Sequence, residues 1–142
     1  MGLDPERRLG GDLKQTEQVL MSAKTAALRD LDLTVAQYAA LLTLSIHPGI
    51  SGSALARACL VTPQAAAAVL KTLTARGLVE RTSDDWNRNV RPSRLTADGA
   101  TLLAEADKRA SAIEQRVHDA LTAQERETLR RLLRTCREAV PE

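Results

Sequence analysis

Between Leu33 and Val79 the chain contains no aspartate or glutamate, although acids are frequent on both sides of that stretch. The basic residues it does contain, Arg57, Lys71 and Arg76, suit an anionic partner. Guanidinium and ammonium groups neutralise phosphates, hydroxyls donate to phosphate oxygens, and a glutamine amide can pair bidentately with an adenine edge. From Leu33 to Ala97 there are seven basic residues (Arg57, Lys71, Arg76, Arg81, Arg88, Arg91, Arg94) and three acids (Glu80, Asp84, Asp85), a local charge of +4. The other thirteen basic and fifteen acidic residues sum to −2, which restores the net charge of +2. A net +2 argues little, so the segregation of charge carries the case for a polyanionic partner.

Other chemistries lack their residues. There is no G-x-S-x-G elbow, no glycine-rich phosphate loop and no H-E-x-x-H, so catalysis is not expected. Cys59 and Cys136 lie far apart without CxxC spacing and read as apolar packing. His47 at a helix-ending turn and His118 late in a long helix have no clustered partner ligands, so neither a metal nor a cofactor is expected. No run of about eighteen apolar residues could span a bilayer, and Met1 to Arg8 lack the apolar stretch of a secretion signal. The expected location is the cytoplasm, at the nucleoid, with no membrane partner.

The elements that must position these residues are mostly helical. Alanine and leucine dominate the 142 residues, aromatics make up 1% and phenylalanine is absent. Leu9, Leu13, Leu20, Ala23, Ala27, Leu28 and Leu31 mark a first long helix, and the capping box Thr34-Val35-Ala36-Gln37 opens a second that runs to about Ile46. Ser51 caps a short helix to about Cys59, and Thr62-Pro63 opens another that ends at Arg76-Gly77. Strands are predicted over 78–82 and 90–95, with Pro92 confining the second to an edge or an irregular path. Thr96 caps a fifth helix in which Leu103, Ala106, Ala110, Ile113, Val117 and Leu121 step by three and four, close to a heptad seam. A second box, Thr122 to Glu125, opens a last helix with Leu129, Leu132, Leu133, Cys136 and Val140 on one face.

The fold class that follows is mainly α with a small β-hairpin wing, about six helices in one domain. Helix, tight turn, helix and basic hairpin are the parts of a winged helix-turn-helix, in which one helix enters the major groove of DNA. A plain bundle with solvated arginines would explain any one helix pair; the weight rests on turn, wing and charge segregation together.

At this level the sequence resembles the multiple antibiotic resistance regulator (MarR) family. Leu33-Thr34, Gln37 and Leu41 resemble its LTxxQ…L entry to the second helix. Leu55-Ala56, Pro63, Leu70, Leu73, Arg76-Gly77-Leu78-Val79-Glu80-Arg81 and Leu95-Thr96-Ala97-Asp98-Gly99 follow its LA…P…L..L..RGLVER…LTxxG pattern. The resemblance runs from about Leu9 to the C-terminus. It implies a single domain over 1–142, with a winged lobe at about 34–97 and dimerisation helices at about 8–31 and 97–140. The N- and C-terminal helices of two copies would entwine, through Leu103, Ala110, Ile113, Val117, Leu129 and Leu133. Two lobes would then read a pseudo-palindromic operator in double-stranded DNA, most commonly to repress transcription.

On that pattern the DNA contacts fall on Ser51, Ser53, Arg57, Thr62, Gln64, Ala65, Ala68, Lys71 and Thr72, and on Asn87, Arg88, Asn89 and Arg91 of the wing. Ala65 to Ala68 stand where relatives carry longer polar side chains, so direct base readout should be sparse, with Gln64 the chief reader. Arg88 is the candidate for minor-groove insertion, with Arg91 behind it, and Trp86 is expected to fold over the hairpin. Leu60 replaces the small residue usual in the turn between the two helices. Relatives often bind a small aromatic or phenolic effector between dimer helices and lobe, where Met21, Tyr38, Leu42 and Ser45 would fall; a core role for these four is the competing reading. The competing function is a helical dimer whose winged lobes grip a protein partner, not DNA.

Overall fold

A computed structural model of the chain describes residues 2–81 and 92–141, which divide into two compact units, Met1–Ala110 and Ser111–Glu142. The first holds a 3-10 turn at Pro5–Arg7, α1 (Gly10–Leu28), a second 3-10 turn at Arg29–Leu31, α2 (Val35–Ile46), α3 (Gly52–Ala58) and α4 (Pro63–Ala75). An antiparallel hairpin of β1 (Val79–Arg81) and β2 (Ser93–Leu95) follows, then α5 (Ala97–Ala120) and α6 (Ala123–Glu138). The MarR-like expectation of six helices and a small hairpin therefore holds, and the helix starts at Val35, Pro63 and Ala97 are those the capping residues predict.

Those caps form in full. Thr34 Oγ1 accepts the Gln37 N–H at 3.1 Å while Gln37 Oε1 accepts the Thr34 N–H at 3.0 Å, which satisfies two otherwise orphaned donors. Ser51 and Thr62 cap α3 and α4 through the N–H groups of Ala54 and Ala65. Within the described residues of the hairpin, Val79 pairs with Leu95, Glu80 with Arg94 and Arg81 with Ser93. Pro92 stands outside β2, as its missing N–H requires.

Three turns of this unit share one backbone device. After Leu31, Cys59 and Arg76 the chain passes through a left-handed residue, respectively Asp32 (φ 54°), Leu60 (φ 57°) and Gly77 (φ 73°). In each the next N–H reaches back to close the helix end: Leu33 to Leu28 O, Val61 to Ala56 O and Leu78 to Leu73 O. These are Schellman closures. Glycine enters the left-handed region freely and aspartate tolerates it, whereas leucine pays a steric penalty.

The core of the first unit gathers Leu28, Leu41, Leu44, Leu55, Leu70, Leu73 and Val79, each almost wholly buried, around α2. That helix is covered on several sides, as its nearly continuous apolar sequence requires. Gly99 locks α5 onto the hairpin: a Cβ there would lie 2.0 Å from Leu78 O. Around it Thr96 Oγ1 donates to Gly77 O at 2.6 Å and accepts the Gly99 N–H at 3.0 Å, while the Thr96 N–H reaches Leu78 O. The RGL and LTxxG segments are thus two sides of one contact. Gly49, also left-handed, donates to Ser93 O at 3.2 Å and ties the turn before α3 to the base of the hairpin.

In the second unit the Thr122 to Glu125 capping box opens α6, and Arg126 donates to the carbonyls of His118 and Leu121 at the end of α5. No residue of α6 is buried; Leu129, Leu132 and Val140 are exposed. Cys136 is exposed as well, against its expected place in a core, because the apolar face of α6 has no cover within this unit. Among the described residues no single helix is long and apolar enough to cross a membrane.

Candidate nucleic-acid interface

Helices α3 and α4 meet at 105° across a turn of four residues, inside the range of a helix-turn-helix. Burial fixes their orientation. Leu55 and Ala56 of α3 and Ala66, Leu70 and Leu73 of α4 point into the core, so the opposite faces must look outward. On those faces Ser51, Ser53, Arg57, Thr62, Gln64, Ala65, Ala68 and Lys71 are all exposed. Every non-wing DNA residue read from the sequence, Thr72 included, is therefore exposed, and neither α3 nor α4 contains an acid.

The hydrogen-bond state of each group sets what it can do. Arg57 and Lys71 make no ion pair among the described residues, which leaves both charges for an external anion. The cap hydroxyl of Thr62 accepts from Ala65 N at 3.1 Å and keeps its own proton to donate. Ser51 and Ser53 lie 3.3 Å apart, Oγ to Oγ, so one proton is shared between them. Thr72, also exposed, donates its hydroxyl to Ala68 O at 3.2 Å and lines a groove with Met21 and Arg76. Arg76, counted above in the basic stretch, is also occupied, donating to Asp32 O at 2.6 Å. Arg94 stands directly across from Glu80 in the hairpin. Trp86, Asn87, Arg88, Asn89 and Arg91 lie outside the described residues.

The four effector candidates lie in different surroundings. Met21 lines an open groove of about 640 Å³ between α1, the start of α2 and α4, together with Thr25, Arg29, Thr34, Thr72 and Arg76. Tyr38, Leu42 and Ser45 are not part of it. Tyr38 is buried, its hydroxyl donating to Asp107 Oδ1 at 2.6 Å, and Ser45 donates to Leu42 O. For Tyr38 the core reading fits better, since its one proton is held by α5.

The set offered for dimerisation also divides. Leu103 and Ala110 are buried in the core of the first unit with Ala106, so they have no surface left for a second copy. The first half of the heptad-like seam is explained by the lobe's own packing. Val117 and Leu129 are exposed, and Ile113 and Leu133 are half-buried. Leu13 and Val19 of α1, and Leu9 just before it, are exposed too.

Sequence reasoning missed a polar tie between α1 and α5. Arg109 donates to Ala27 O at 3.3 Å and to Asp30 Oδ2 at 3.0 Å, with Glu105 of its own helix at 3.1 Å. The Asp30 carboxyl is held below its ordinary range, first by a backbone N–H and then by Arg109. Partners about eighty residues apart leave no local signal.

Comparison with known proteins joins this geometry to a lineage. A family profile described as the MarR family matches residues 31–85, the stretch that holds α2, α3, α4 and β1. The HTH-type transcriptional repressor Rv2887 of Mycobacterium tuberculosis is 37% identical over 133 residues, covering 94% of this chain and 96% of the relative. The chain belongs to the MarR family. Among solved MarR-family structures, Rv2887 in complex with salicylic acid shares 35% identity, covers 95% of this chain and 100% of its own, and superposes with a TM-score of 0.72. The transcriptional repressor CouR bound to a 23-mer DNA duplex shares 27% identity over 96% of this chain and 99% of its own, with a TM-score of 0.82. As a MarR-family member the chain is a transcriptional regulator with a winged helix-turn-helix fold.

Proposed function

We propose that this protein is a homodimeric, sequence-specific repressor that binds a pseudo-palindromic site in duplex DNA and is released by a small aromatic acid. Its work is binding, done in the cytoplasm at the nucleoid, and not catalysis. The observation that carries the reading is the outward face of α3 and α4, which presents Arg57, Lys71, Gln64 and the cap hydroxyls with no acid among them. The relatives that are repressors, and CouR with its bound duplex, support it.

The division of labour follows from side-chain type. Arg57 and Lys71 take phosphates, joined by Ser51, Ser53 and Thr62, and set register without reading sequence. Gln64 reads one base pair, and Ala65 and Ala68 offer methyl contacts to thymine. From the sequence alone, Arg88 with Arg91 adds minor-groove or phosphate contact, flanked by Asn87 and Asn89. The chain 1–142 acts as one functional domain. Its lobe spans about 34–97 and its dimer helices about 8–31 and 97–140, the latter contributing Ile113, Val117, Leu129 and Leu133. For the effector, the groove beside Met21 is the better seat, because Arg29 places a cationic group beside the apolar Met21, Leu33 and Val35, while Arg76 on the same wall is held by the Asp32 carbonyl. The complex of Rv2887 with salicylic acid supports that chemical class.

The test is an electrophoretic titration against duplex flanking the protein's own coding region, repeated across salt concentrations. Retention of one segment over random duplex, with log K falling linearly in log salt at about −0.9 per phosphate neutralised, is the expected result. No retention, or a flat salt response, would favour lobes that grip protein.

A further inference from the structure

Leu60 combines two properties that are each ordinary alone. It is 92% exposed, so its side chain contributes almost no burial to the fold. It also holds φ at +57°, a conformation that a leucine enters only against a steric penalty. Its backbone does the work of a Schellman closure, with Leu60 N–H donating to Arg57 O at 3.2 Å and Val61 N–H to Ala56 O at 3.0 Å. Neither bond uses the side chain. The same closure at the end of α4 is made with Gly77. At position 60, then, glycine would serve the fold at least as well, and the isobutyl group has no use inside the molecule.

Where that group points is fixed by its neighbours. Cys59 and Val61 turn inward, both half-buried and packed around the small apolar space between α2, α3 and α4. Leu60 is left facing outward, two residues before the cap Thr62 and between Arg57 and Gln64, the residues assigned above to phosphate and base. With both neighbours packed inward, the backbone at Leu60 directs its side chain outward. An outward apolar group amid hydroxyls and cations suits the apolar feature of the major groove, the thymine 5-methyl.

We propose that Leu60 is a specificity-determining residue that packs against a thymine 5-methyl at the edge of the site read by α4. The inference rests on the DNA-binding reading. A side chain that adds strain to this closure and no burial to the fold is the reason to look outside the fold for its use.

The experiment compares wild type with Leu60→Gly on the protein's own operator and on copies in which each thymine in turn is replaced by deoxyuridine, which removes only the methyl. Leu60→Gly is expected to melt no lower than wild type, and about 2–4 °C higher if the left-handed strain is relieved. It should bind the unmodified operator about fivefold more weakly, with an unchanged salt slope because no charge is lost. Wild type should lose a similar factor at one deoxyuridine position, and Leu60→Gly should be indifferent to that replacement. If the variant binds the operator as tightly as wild type, or keeps the same deoxyuridine sensitivity at every position, the assignment is overturned while the DNA-binding reading stands. Failure of wild type to bind any duplex overturns both.

Discussion

A single atom decides whether position 99 can be anything but glycine. With Leu78 O only 2.0 Å from where a Cβ would sit, Gly99→Ala must push α5 off the hairpin or break the Thr96 contacts beside it. A loss of about 2–3 kcal/mol is expected, as for other forced overpacking, read as a lower urea midpoint with no change in slope. The interface residues behave differently, because they lie outside the packed core. Arg57→Ala and Lys71→Ala should leave stability within about 0.5 kcal/mol of wild type. Each should weaken operator and random duplex alike and flatten the salt slope by about 0.9. Gln64→Ala should instead cost about 1–3 kcal/mol at one base pair and relax discrimination there. Measuring all three on single-base operator variants separates the roles; equal loss on all sequences for Gln64→Ala would remove it as a reader.

Helices were legible where their ends are chemical. The two capping boxes and the Thr62-Pro63 start are local patterns, so α2, α4 and α6 begin where their residues predict. Thr34→Ala should cost about 1 kcal/mol in thermal or urea unfolding. At Thr122, Glu125 is the partner whose carboxyl the Thr122 N–H and hydroxyl hold below the ordinary glutamate range. A carboxyl with a lowered folded pKa stabilises above its unfolded pKa and loses that contribution as pH falls through the folded one. Helical signal from α6 should therefore weaken on acidification below about pH 4.5, and less so in Glu125→Gln, which cannot titrate. What was not legible is tertiary. That Leu103 and Ala110 are buried in the core of the first unit depends on what packs against α5, and periodicity reports a buried face without naming its partner. Likewise the hydroxyl of Tyr38 meets Asp107, 69 residues away, so no local pattern could remove Tyr38 from an effector site.

At the scale of the whole chain, the distribution of apolar surface argues for a second copy. Leu13, Val19, Val117, Leu129 and Leu132 are exposed on α1, α5 and α6, and Leu9 just before α1, while the lobe built from α2 to β2 keeps nearly all its leucines inside. A dimer by multi-angle light scattering is expected, and Leu129→Glu with Leu132→Glu should shift it toward monomer and reduce operator affinity far more than single-lobe contacts account for. A stable, tightly binding monomer would refute the arrangement.

The knot of contacts at Thr96, Gly77, Leu78 and Gly99 also bears on the order in which the chain folds. It closes a segment of about twenty residues, and the α3 to α4 turn closes an even shorter one. Short closures lose little chain entropy, so they form early. The Arg109 bonds to Ala27 and Asp30, by contrast, close loops of 82 and 79 residues. Helix α1 should then dock last. Substitutions around Gly99 should slow refolding, and Asp30→Ala should chiefly speed unfolding.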